Sequence, residues 1–140
     1  MAAKDIYHAS CVQALRKEGW TITHDPLTIT VEETNLLIDI GAERVVAAER
    51  NGERIAVEIK SFISLSAVQD LKEAVGQFWL YDLALKQSMN EADRGLFLAV
   101  RKTVYEEVFV EGIGKLFLNN HTLRLIVFDP DKEVITKWIK

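Results

Sequence analysis

Residues 44–62, RVVAAERNGERIAVEIKSF, read as two β-strands, Arg44 to Arg50 and Arg54 to Phe62, hinged on Asn51-Gly52. Asn-Gly is the preferred pair for a two-residue hairpin turn, which needs positive φ at both central positions. Such a turn sets the register: Arg50 opposes Glu53, Val45 opposes Glu58, and Glu43 opposes Lys60. Side chains two apart on a strand share a face. One face of the second strand therefore carries Ile55, Val57, Ile59 and Ser61, and the other Arg54, Ala56, Glu58, Lys60 and Phe62. Glu58 and Lys60 project side by side from a strand whose other residues are mostly apolar. Burying an acid and a base there is costly unless they are paired or used. By the same parity Asp39 and Glu43 lie on the side of Glu58 and Lys60, with a bend at Gly41-Ala42 needed to bring Asp39 near Glu58.

Outward from the hairpin, Lys4 to Glu18 has the apolar spacing of an amphipathic helix stopped at Gly19, and Trp20 to Thr23 alternates as a short strand before the turn at His24-Asp25-Pro26. Polar residues from Glu32 to Asn35 precede the apolar run Leu36 to Ile40. Beyond the hairpin, Ser66 to Gln87 reads as a long helix capped by Ser66, with Val68, Leu71, Val75, Phe78, Trp79 and Leu83 as its apolar stripe. Gly95 to Val100 reads as a buried strand, and Thr103 to Asn119 as largely helical with a break near Gly112 and Gly114. Leu123 to Phe128 is another strand, and Val134 to Trp138 an edge strand or short helix. An antiparallel hairpin followed by crossover helices implies a mixed sheet with helices on its faces, an α/β class.

A length of 140 residues sets one domain over 1–140, long enough for a sizeable core, and 49% hydrophobic with 27% charged residues excludes disorder. A formal charge of −4 argues against coating nucleic acid by bulk positive charge, although a locally cationic site remains compatible with it. Cys11 is the single cysteine, so no internal disulfide forms, and a reducing, cytoplasmic setting is expected. No apolar run approaches the roughly 20 residues that span a bilayer, so no membrane association is expected.

The chemistry on offer is carboxylate chemistry. Asp39, Glu58 and, as a further ligand, Glu43 have the oxygen donors that suit Mg²⁺ or Mn²⁺. A bound cation of this kind acidifies water and stabilises charge building at a phosphoryl centre, while a neighbouring lysine orients the attacking water. Competing chemistries lack their residues. No Cys/His zinc pattern exists, the serines at 61, 64 and 66 have no elbow or histidine partner, and no glycine loop cradles phosphate.

Asp39 followed 19 residues later by Glu58-Ile59-Lys60 resembles the motif of the PD-(D/E)xK nuclease superfamily, with Ile38 where that motif usually has proline. Gln77 and Tyr81, at i and i+4, resemble the QxxxY element of its RecB-like and resolvase-like branches. A wider resemblance runs through Ala3-Lys4-Asp5 with His8, Gly19 to Leu27, Ile38 to Glu43, Ala47 to Glu49, Ile55 to Phe62, Gly76-Gln77-Phe78 and Val127 to Pro130. Together these residues are similar to the XisH family of fdxN-element excision controlling factors. The resemblance implies a restriction-endonuclease-like mixed β-sheet core flanked by helices on both faces and a cyanobacterial-type source. It also implies work beside an XisI-like protein and a site-specific recombinase.

The resulting expectation is a divalent-metal-dependent deoxyribonuclease assisting DNA excision. Asp39 and Glu58 hold Mg²⁺ or Mn²⁺, Lys60 orients water, and Gln77 supports the site. Tyr81, Lys72, Arg54 and Arg50 are expected DNA contacts. The rival expectation is an inactive accessory protein that acts through a partner. A small acidic domain without an appended DNA-binding module also points to oligomerisation or a partner, and a homo-oligomer is expected.

Overall fold

The computed structural model describes residues 6–29 and 45–140. Helix α1 (His8–Lys17) leads into β1 (Thr21–His24), and β2 (Val45–Arg50) and β3 (Glu53–Ile59) form the hairpin. Helix α2 (Ala67–Gln87) and β4 (Gly95–Arg101) follow, then a short α3 (Lys102–Val104) running into a π-helical turn over Tyr105–Phe109. Helix α4 (Gly112–Asn119), β5 (Leu125–Asp129) and β6 (Val134–Ile139) complete the chain.

The six strands of the described residues lie in sequence order in one sheet. β1–β2 and β2–β3 are antiparallel, β3–β4 and β4–β5 are parallel, and β5–β6 is antiparallel. The sheet is mixed, as the hairpin-then-crossover pattern requires. Asn51 and Gly52 take φ of 52° and 83°, the positive pair that the turn demands. The register follows: Arg50 opposes Glu53 and Val45 opposes Glu58. The last apolar segment is a strand, paired to β5 along its length.

Side-chain alternation divides the core in two. On one face α1 packs Cys11, Val12, Ala14 and Leu15 against Val46, Ala48, Val57, Phe97 and Ile126. On the other, α2 covers Ala47, Ala56, Leu96, Leu98 and Val127, with Phe109 and the partly buried Phe117 of α4 filling beside it. Helices therefore flank both faces. At the end of the π-helical turn the chain folds back so closely that a Cβ on Gly114 would lie 2.0 Å from the Val108 carbonyl oxygen. Only glycine fits there, and the helical stretch breaks just before it, at Gly112 with φ of 71°.

The buried face of α2 differs from the sequence expectation. Leu71, Ala74, Phe78, Tyr81, Ala84 and Leu85 point inward, while Val68, Trp79 and Leu83 are exposed. Two apolar stripes of helical period run along this helix, and periodicity alone does not rank them. The stripe that wins contains Ala74 and Ala84, whose small side chains let the helix axis approach the sheet. Phe109 is 1% exposed within the core, and the half-buried Trp138 lies 5.7 Å from the Trp20 ring.

Candidate functional site

Glu58 sits near the carboxyl end of β3, between Val45 on β2 and Leu98 on β4. Its side chain shares the α2-facing side with Ala56 and the residue is 2% exposed, so a carboxylate is built into the sheet interior. The β3–β4 ladder continues past the last strand residue, with the Lys60 N–H donating to the Ala99 carbonyl at 3.2 Å. This keeps Lys60 in strand parity with Glu58. Its ammonium reaches across to α2, where Nζ lies 3.3 Å from Glu73 Oε2. Gln77 stands one turn beyond Glu73 on the same flank of α2 and is half-buried, and Tyr81, a further turn on, is 2% exposed within the core.

The loop that carries the chain from β3 to α2 is held at several points, which fixes how the helix flank meets the strand end. Phe62 takes a positive φ of 54° and sets its ring edge-on to Phe109 at 6.0 Å. The buried Asp70 accepts the Ser64 N–H at 3.2 Å, and Ser66 Oγ accepts the Gln69 N–H at 3.1 Å as the N-cap of α2. Arg101, at the end of β4, donates to the Ser61 carbonyl at 2.8 Å and lies 4.3 Å over the Tyr7 ring. These contacts tie the start of α1 to the same end of the sheet. His8, the first residue of α1, is 5% exposed, with its Nε2 2.8 Å from Asp25 Oδ2 just after β1. Open α/β sheets bind ligands outside the carboxyl ends of their parallel strands, and this is such an end.

The other expected site residues are placed differently. Asp39 and Glu43 lie outside the described residues. Glu43 is the expected partner of Lys60; the partner among the described residues is Glu73. No sequence motif marks Glu73, although its position one turn before Gln77 is a usable signal. Arg50 and Arg54 sit at the turn end of the hairpin, remote from Glu58. Arg50 stacks 4.5 Å over Trp20 and donates to the Glu18 carbonyl at 2.8 Å. Arg54 pairs with Asp93, Glu91 and Glu49. Lys72 is exposed on the outer side of α2, off the flank of Glu73 and Gln77.

Among the described residues no three His, Cys, Asp or Glu side chains converge as a metal-holding group. A cavity of about 480 Å³ between α2 and β5, lined in part by Asp82, Lys86, Arg124 and Lys140, includes none of the expected site residues. No helix among the described residues is long and apolar enough to cross a membrane.

Fold and site together define a mixed α/β protein with a buried acid and a helix-paired lysine at the carboxyl end of a parallel strand. The family model described as "XisH protein" matches residues 1–136, and the chain belongs to the XisH family. Two crystal structures resemble it over their whole length. One is an XisH family protein from Nostoc punctiforme PCC 73102, 39% identical, covering 97% of this chain and 100% of its own with a TM-score of 0.85. The other, an fdxN element excision controlling factor protein from Anabaena variabilis, is 38% identical, covers 98% of this chain and 100% of its own, and has a TM-score of 0.85. No curated protein matches the chain.

Proposed function

We propose that this protein is a divalent-metal-dependent deoxyribonuclease of the PD-(D/E)xK type, with a restriction-endonuclease-like core, serving the excision of a DNA element. The observation that carries this reading is Glu58: a carboxylate 2% exposed beside Lys60 at the carboxyl end of β3. Burying a carboxylate in a sheet interior is costly, which makes the position a functional candidate.

The donors beside Lys60 are the carboxylate oxygens of Glu58 and Glu73, the ligand type that Mg²⁺ and Mn²⁺ take. Glu58 would hold such an ion together with Asp39, and Glu43 is the further ligand. When bound, the ion supplies an acidified water and offsets charge on the scissile phosphate. Lys60 would orient that water and stabilise the departing charge. Glu73 holds the ammonium in place, and Gln77 on the same flank would support the substrate strand.

A second reading is an accessory role without turnover, through DNA, an XisI-like protein or a recombinase. It is favoured by the placement of Arg50 and Arg54, whose guanidinium groups are occupied within the chain. The "controlling factor" in the name of the Anabaena variabilis relative is compatible with either role. The experiment is a panel of duplex, branched and single-stranded DNA incubated with Mg²⁺ or Mn²⁺. Cleavage that disappears in Lys60→Ala supports the nuclease. Absence of cleavage on every substrate, with and without candidate partners, supports the accessory role.

A further inference from the structure

The outer face of α2 is apolar and bare: Trp79 is 67% exposed, Leu83 56% and Leu80 41%. Gly76 lies one turn before Trp79 and Leu80, and a Cβ built on it meets nothing within 4 Å. Glycine in a helix interior destabilises it relative to alanine. Among the described residues no neighbour requires that loss. Lys72, Gly76, Trp79 and Leu83 follow at spacings of four, three and four, a single stripe along one side of the helix.

We propose that this stripe is a homodimer surface, on which α2 packs antiparallel against α2 of a second copy and Trp79 of each chain seats over Gly76 of the other. A hollow and a projection one turn apart on the same helix are self-complementary. A twofold axis passing between residues 77 and 78 fills both hollows at once, whereas an unrelated partner would have to supply a matching pair of its own. Charge selects the antiparallel arrangement. In a parallel pair Lys72 would face its own copy; in the antiparallel pair its stem lies along Leu83 of the second chain, within reach of Asp82 there. The exposed fractions of Trp79, Leu80 and Leu83 amount to roughly 350 Å² of apolar side chain per copy, so about 700 Å² for the pair before flanking residues are counted. That is below the roughly 1,200 Å² of stable complexes and in the range of weak, reversible association, so the dimer is a transient one. The inference does not depend on nuclease activity.

Sedimentation velocity on the full chain from about 1 µM to about 300 µM tests it. The expected result is a reversible monomer–dimer equilibrium with a midpoint in that range. Gly76→Leu, whose added side chain enters open space, weakens the dimer at least about tenfold without lowering the thermal midpoint, and Trp79→Ala weakens it comparably. A wild-type chain that stays monomeric throughout overturns the inference. So does a dimer whose midpoint Gly76→Leu leaves unchanged.

Discussion

At the Asn51-Gly52 end of β3, Arg54 is ringed by Glu49, Glu91 and Asp93 and donates to the Asn90 carbonyl at 2.9 Å. Beside it the buried Arg94 is bound by Glu91 and donates to the Ile55 carbonyl at 3.1 Å. At the opposite end of the same strand, Glu58 is buried in the sheet, and Lys60 is held by Glu73, whose own side chain is half in water. The first end uses charge to close the fold: each guanidinium locks the hairpin to the segment that connects α2 with β4. The second keeps a carboxylate where burial is costly and a lysine in a pair screened by solvent. Stability is concentrated at one end of β3, and chemistry is expected at the other.

The largest effect should come from breaking the turn end. Arg94→Ala removes a buried guanidinium that pairs with Glu91 and donates to the Ala48 and Ile55 carbonyls, so unfolding free energy should fall by about 3–5 kcal/mol. Urea denaturation measures this, and a loss under about 1 kcal/mol would mean that the two ends do not differ in this way. A smaller effect is expected at the other end. A double-mutant cycle between Lys60→Ala and Glu73→Ala should give a coupling below about 1 kcal/mol, since the Glu73 side chain is 50% exposed and the pair is screened by solvent. A coupling above that would make this end structural too.

The smallest effect lies away from both ends. Asp129 accepts N–H bonds from Lys132 and Asp131 in the turn between β5 and β6; chiefly the Lys132 bond, opposed by slight desolvation, holds its carboxyl below the usual value of 3.8. A depressed folded value means that its stabilisation is present above the unfolded pKa and fades as pH falls through the folded one. Asp129→Asn should therefore lower the thermal midpoint slightly near neutrality and leave it unchanged in strong acid. A difference that grows toward acid would reverse the assignment.

How much of this was legible in the sequence follows from the range of each interaction. The hairpin register rests on Asn51-Gly52 and side-chain alternation, both local, and Val45 opposes Glu58 as those rules require. Ser66 marks the start of α2 for the same reason. The buried face of α2 was not legible, because two apolar stripes share one helix and only the sheet beneath selects between them. Nor was the Lys60–Glu73 pair, which joins a strand to a helix 13 residues on through a loop turned at Phe62. Arg50 and Arg54 read as cations available to DNA because their partners, including a carboxylate 39 residues away, leave no local trace. Asp39 and Glu43 fall outside the described residues.

The central claim is tested most directly by metal-dependent DNA cleavage, comparing the wild-type chain with Glu58→Gln and Lys60→Ala. Cleavage by the wild type in Mg²⁺ or Mn²⁺, reduced at least about 100-fold in both variants while each keeps the wild-type unfolding midpoint within a few degrees, is the predicted result. Cleavage that persists undiminished in both folded variants would contradict it.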